Sequence, residues 1–259
     1  MTAHVLPVLF VVAAWFVSTG VVIALVAALG RLSRRAARWS VAAAGIVAAT
    51  GLWLAHHVAG DASPRGAYLG FAAAFAVWGW HELSFLMGVI TGPRVVPLPG
   101  GTTGWTRFRM AAATLIWHEV ALAATAAALL ALTWGQANQL AALTFAALFG
   151  LRLSAKLNIF LGVPNLTVDF LPARLAHLKS YFRVAHFNPL FPVTVAVASV
   201  AALLLAEHAA LAPDAQAPGL TMLTTLVALG VLEHWFLVLP FRDAALWRWA
   251  MASSAGQAR

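Results

Sequence analysis

Long, nearly uncharged apolar runs constrain this chain more than any other feature. A helix needs about 20 apolar residues, at 1.5 Å rise each, to cross a bilayer. Runs of that length recur along the 259 residues, and helices are expected near 5–29, 41–58, 66–90, 108–134, 139–161, 190–211 and 220–239. The third is interrupted by Trp80-His81-Glu82, which lowers its hydropathy without ending the span. The composition is 62% hydrophobic and 9% charged, where a soluble domain carries about a quarter charged residues. A chain with so little polar surface takes the bilayer as its solvent. The expected fold class is all-α, a polytopic membrane helix bundle of about seven transmembrane helices.

The basic residues give that bundle an orientation. Arg31, Arg34, Arg35 and Arg38 fall in the first loop, Arg94, Arg107 and Arg109 in the third, and Arg174, Lys179 and Arg183 in the fifth, with Arg242, Arg248 and Arg259 in the tail. The alternate loops hold only Asp61 with Arg65, then nothing charged, then Asp214. With seven spans every basic segment lies on one side, so the N-terminus is expected in the periplasm and the C-terminus in the cytoplasm. The formal charge of +8 is spread between apolar runs rather than gathered on one patch. That pattern suits loops facing anionic lipid and not nucleic acid. There is no cysteine, so thiolate metal sites and disulfides are excluded. The apolar stretch of residues 1–30 has no basic n-region and is too long for a secretory signal, so it reads as a retained helix.

One transmembrane domain is expected over residues 1–251, with an interfacial segment at about 163–188 and a short disordered tail at 252–259. In the interfacial segment His177, Lys179 and Arg183 fall opposite Leu175, Leu178 and Phe182, as in a short helix lying at the membrane surface.

The acidic residues are more telling. All four glutamates adjoin a histidine: His81-Glu82, His118-Glu119, Glu207-His208 and Glu233-His234. A carboxylate inside a bilayer costs several kcal/mol unless it is paired, protonated or metal-bound. Depth along the expected spans puts His81, Glu82, His118, Glu119, Glu233 and His234 in one cytoplasmic-side layer with Arg152, Lys156 and Asn158, while Glu207-His208 and His56-His57 fall near the opposite ends. Three chemistries fit. The carboxylates can pair with Arg152, Lys156 and the histidines in a buried network. His81, Glu82, His118, Glu119, Glu233 and His234 can supply a non-haem metal ion, as helix bundles do, although adjacent residues point about 100° apart and the usual Glu-x-x-His spacing is missing. A neutral imidazole can also contact the central metal of a tetrapyrrole or relay protons. Trp78, Trp80, Trp117 and Trp235 flank the pairs and are expected deep in the bundle, whereas Trp39, Trp105, Trp134, Trp247 and Trp249 read as an interfacial belt. No phosphate-binding loop, nucleophile elbow or HExxH motif is present.

The same residues carry a resemblance. Gly79-Trp80-His81-Glu82-Leu83-Ser84-Phe85-Leu86 runs on to Thr91-Gly92-Pro93-Arg94. Leu151-Arg152-Leu153-Ser154-Ala155-Lys156-Leu157-Asn158 continues through Phe160-Leu161-Gly162-Val163-Pro164-Asn165. Phe170-Leu171-Pro172, His177-Leu178-Lys179-Ser180-Tyr181-Phe182, Asn188-Pro189-Leu190-Phe191-Pro192 and Leu232-Glu233-His234-Trp235 through Pro240 complete the set. Over nearly the whole chain these resemble the photosynthetic complex assembly protein PuhE family of anoxygenic phototrophic bacteria. The resemblance implies a multi-pass protein of the bacterial inner membrane that serves reaction-centre assembly and bacteriochlorophyll supply or biosynthesis. Its partners would be the lipid bilayer and photosynthetic reaction-centre or pigment-synthesis proteins. It carries over no active site. The alternative from the residues alone is a metal-dependent membrane enzyme acting on a tetrapyrrole or other lipophilic substrate through the His/Glu layer.

Overall fold

A computed structural model describes residues 2–166 and 171–240. These form α1 (Thr2–Leu29), α2 (Arg34–His57), α3 (Pro64–Leu86), α4 (Gly104–Ala112), α5 (Ile116–Thr133), α6 (Leu140–Leu161), a 3₁₀ helix (Ala173–Tyr181), α7 (Leu190–Leu211) and α8 (Ala217–Phe236). Among the described residues the only strand-like feature is a single bridge between Val163 and Val184. Asp169, Phe170, Arg242, Trp247, Arg248, Trp249, Arg259 and the expected tail at 252–259 lie outside the described residues.

Side chains in the connecting turns start several of the helices. Ser33 and Ser63 accept the amides of Ala36 and Gly66 at 3.2 and 3.3 Å, the second just ahead of Pro64 in the first turn. Asn188 Oδ1 accepts both Leu190 and Phe191 amides at 3.0 Å and begins α7. Asn138 begins α6 by accepting the Leu140 amide at 3.1 Å, while its own side-chain amide donates to Val58 O at 3.1 Å. Gly162 ends α6 at φ 127°, a conformation that a side chain would strain.

Six helices (α1, α2, α5, α6, α7 and α8) are long and apolar enough to cross a membrane. The lipid-facing pattern is plainest on α7, where Val193, Val197, Val200, Leu203 and Leu204 are all exposed. Such a stripe would be an aggregation surface in water and is an ordinary one in hydrocarbon. The protein is therefore a multi-pass membrane protein. At the centre stands α3, 23 residues long, with one side buried from Gly66 to Phe85. Phe71, Val77 and Ala74 pack there with Leu122 and Phe145 from α5 and α6 and with Met222 from α8. Its lower hydropathy comes from the polar groups it carries inward.

The turns sort into two ends. At one, Arg174 donates to Gly30 O and Leu32 O, at 3.3 and 2.6 Å. Arg94 donates to the Tyr181 hydroxyl at 2.6 Å, and Arg107 donates to Phe160 O and Tyr181 O at 2.9 and 2.7 Å. The basic loops thus meet one another and cap the helix C-termini that end there. At the other end Asn138 ties the α5–α6 turn to the α2–α3 turn, and His4 bonds Thr221 at 2.9 Å.

Three expectations are corrected. The expected helix over 108–134 is two helices: the amide of His118 leaves the helical ladder for Thr91 O at 3.0 Å, and the chain turns at 113–115. The first loop is shorter than expected, because Arg34, Arg35 and Arg38 belong to α2. The interfacial segment is helical but 3₁₀ in its described part, so Leu175, Leu178 and Tyr181 form its buried row at a spacing of three, and Arg183 lies beyond it.

Candidate functional site

Three of the four His-Glu pairs sit where α3, α5, α6 and α8 converge near the arginine-rich end. In each pair the two side chains reach different helices, as their separation around the helix requires. On α3, His81 Nε2 bonds Thr125 Oγ1 of α5 at 2.9 Å, while Glu82 Oε2 accepts Arg152 Nη2 of α6 at 3.3 Å. In the first turn of α5, Glu119 Oε1 accepts Lys156 Nζ at 2.7 Å. On α8, Glu233 Oε1 accepts the Trp15 indole of α1 at 2.5 Å. Beside it, His234 Nδ1 donates to Gly230 O at 2.7 Å and leaves Nε2 to share a 2.6 Å hydrogen bond with Ser154 of α6.

Eight of the nine expected residues therefore form two clusters, and Glu233 stands apart on Trp15 of α1. His81, Glu82, His118, Glu119, Arg152 and Lys156 meet between α3, α5 and α6, with the His81 and His118 rings 6.3 Å apart and Lys156 Nζ 5.6 Å above the Phe85 ring. His234 and Asn158 form a second group with Ser154 and Thr194, in which Asn158 Nδ2 donates to Ser154 O and Thr194 Oγ1 at 2.9 and 3.1 Å. The layer lies nearer the helix ends than the expected depth, because α3 stops at Leu86, α5 begins only at Ile116 and α8 stops at Phe236.

The pairs are unequally shielded. Arg152 keeps 47% of its side chain exposed against 12% for Glu82, and Lys156 and Glu119 keep 20% and 13%. Several polar atoms in the first cluster are buried with no hydrogen-bond partner among the described residues: His81 Nδ1, Glu82 Oε1, Glu119 Oε2 and both ring nitrogens of His118. His118 is the extreme case, 0% exposed with its ring against Phe85 at 4.6 Å between centroids. Among the described residues no three His, Asp or Glu side chains are grouped to hold a metal ion. The arrangement can pair charge and share protons between neighbouring groups.

Of the tryptophans expected deep in the bundle, Trp80 donates to Val41 O at 3.0 Å and Trp78 meets Phe145 edge-on. Trp117 and Trp235 are exposed outward instead. The expected belt residues Trp39, Trp105 and Trp134 are exposed at helix ends. Glu207-His208 and His56-His57 stand at the opposite end, near the C-termini of α7 and α2. Thr125, Ser154, Thr194 and Trp15 are site partners that the sequence reading missed. Their signal was a hydroxyl or indole inside an apolar run, where a donor tends to seek a partner on another helix.

The family described as "Protein of unknown function (DUF3623)" matches residues 1–258. A protein of Rhodobacter capsulatus described as "Uncharacterized 30.4 kDa protein in puhA 5'region" is 42% identical over 244 residues, covering 92% of this chain and 88% of its own. No solved structure matches.

Proposed function

The chain belongs to the DUF3623 family, and from that membership we propose that it is an assembly factor for the photosynthetic reaction centre, linked to bacteriochlorophyll supply or biosynthesis. The observation that carries this reading is the Rhodobacter capsulatus relative, whose description places it in the puhA 5' region. It agrees with the PuhE-like motifs that run through the buried polar layer. The geometry favours a scaffold: each carboxylate of the layer has a donor on another helix, which joins helices rather than presenting ligands to a common point. In this reading α3 is a seventh span, the chain forms one transmembrane unit in the bacterial inner membrane, and its N-terminus faces the periplasm and its C-terminus the cytoplasm. The seven-span count rests on the length and central position of α3.

Isolation from native membranes in mild detergent tests the role. Photosynthetic subunits or pigment should copurify with the protein, and clean isolation with neither overturns the reading.

A second reading, a metal-dependent membrane enzyme acting on a tetrapyrrole or other lipophilic substrate, draws on the unpartnered ring nitrogens of His118. Metal analysis of the purified protein beside His81→Ala and His118→Ala decides it. A stoichiometric metal lost in both variants is its expected result, and no stoichiometric metal in the unmodified protein sinks it.

A further inference from the structure

A second feature lies outside the polar layer, at the arginine-rich end. Residues 93–96 and one face of α4 (Thr106, Arg109, Met110), continued by Ala113, enclose an open groove of about 500 Å³. The two walls are held together by backbone, since the Arg94 amide donates to Ala113 O at 3.0 Å. A Cβ on Gly92 would lie 2.3 Å from that same carbonyl, so the approach is as close as a chain allows.

The groove combines two chemistries. Arg94 and Arg109 both line it, together with the Thr106 hydroxyl, and no carboxylate among the described residues does. The Arg94 side chain is held in place by its bond to the Tyr181 hydroxyl, 2.6 Å, and another to Pro97 O, 3.2 Å. Tyr181 is itself buried and donates to Val96 O at 2.9 Å, so the guanidinium is positioned before any ligand arrives. Arg109 is exposed and has no hydrogen-bond or ion-pair partner among the described residues. Next to Arg94 on its wall stand Val95 and Val96, 63% and 50% exposed, and Trp105 is exposed on α4. Apolar side chains left open beside uncompensated guanidiniums, at the end of a membrane bundle, match an amphiphile whose head is anionic and whose tail is hydrocarbon.

We propose that the groove between residues 93–96 and α4 is a binding site for the headgroup of an anionic phospholipid, with Arg94 and Arg109 on the phosphate, Thr106 as a further donor, and Val95 and Val96 against the start of the acyl chains. A zwitterionic lipid brings its own cation beside the phosphate and adds no net negative charge against the two guanidiniums, whereas an anionic phospholipid adds at least one. Free phosphate makes no use of the valines.

Native mass spectrometry of the full chain in detergent, titrated with phosphatidylglycerol or phosphatidylcholine, tests this. Phosphatidylglycerol should be retained about fivefold better than phosphatidylcholine, and Arg109→Gln should remove about that factor, the scale of one arginine at an anionic surface. Val95→Asp, which adds a carboxylate at an exposed position and breaks no hydrogen bond, should do the same. Arg38→Gln, on α2 away from the groove, should leave retention unchanged. Equal retention of the two lipids, no loss in Arg109→Gln and Val95→Asp, or an equal loss in Arg38→Gln overturns the proposal. Displacement of phosphatidylglycerol by millimolar inorganic phosphate overturns it in favour of a free-anion site.

Discussion

Lys156 and Glu119 show how a charge survives inside this bundle: the 2.7 Å contact replaces two hydration shells with one partner, and neither side chain is more than one-fifth exposed. Removing one partner leaves the other buried and uncompensated, which costs about 3 kcal/mol. Lys156→Met should therefore lower the midpoint of thermal unfolding in detergent clearly. Lys156→Met with Glu119→Leu should recover most of the loss, because an apolar pair of similar volume needs no solvation. A double variant as unstable as the single one would mean that the pair does more than neutralise itself. His118 makes the opposite case. With no hydrogen-bond partner for either ring nitrogen among the described residues, the imidazole contributes shape and its contact with Phe85. His118→Leu should leave the unfolding midpoint unchanged or raise it, since deleting an unsatisfied buried polar group removes a cost. A marked fall would show that the ring is hydrogen-bonded in the membrane. Adjacent His-Glu pairs were legible at this scale because intramembrane charge is rare. Arg152 and Lys156 were legible as candidate partners for the same reason, but Thr125, Ser154 and Trp15 were not, since they look like ordinary residues of an apolar run.

At the scale of elements, the break between α4 and α5 has no residue that announces it. Ala111-Ala112-Ala113-Thr114-Leu115 contains neither glycine nor proline, and local propensity favours a continuous helix. The break comes from elsewhere, where residues 91–94 press against 113–115 and Thr91 O takes the His118 amide. Gly92 permits that contact. Gly92→Ala should destabilise by about 2 kcal/mol, as overpacking against a backbone that cannot yield does. It should also raise the hydrogen-exchange rate of the His118 amide. Gly79→Ala is the matched control: a Cβ there meets nothing within 4 Å, and the site is inside α3, so the change should stabilise slightly. Unfolding midpoints of the two variants moving in the same direction would contradict this account. The 3₁₀ helix carries the same lesson, since its buried row every third residue follows from docking on Phe85 rather than from the amphipathic spacing of an α-helix.

At the scale of the molecule, the testable point is whether α3 crosses the membrane as a seventh span beside the six long apolar helices. The chain has no cysteine, so single cysteines report accessibility without background. Arg35→Cys in α2 near its start and Asp214→Cys in the α7–α8 turn should react with a membrane-impermeant thiol reagent from opposite sides. The basic end should be the cytoplasmic one. If α3 does not cross, both positions label from the same side, and the seven-span reading fails.

The sequence by itself determined the membrane class and the approximate places of most long helices, because the bilayer imposes one rule on every segment that crosses it: about 20 residues without unpaired charge. Residue by residue, it also marked the groups that break that rule. Which neighbours those groups meet was set by tertiary packing. Whether Glu82 faces Arg152 or a ligand, whether His81 and His118 converge with a third group, and where a helix yields to a neighbouring segment depend on rotations and contacts between helices distant in the chain. An apolar stretch constrains its own length and leaves its azimuth open. Packing set the azimuths, and with them brought Glu82 and Glu119 to cations, Glu233 to an indole and the His118 ring against Phe85.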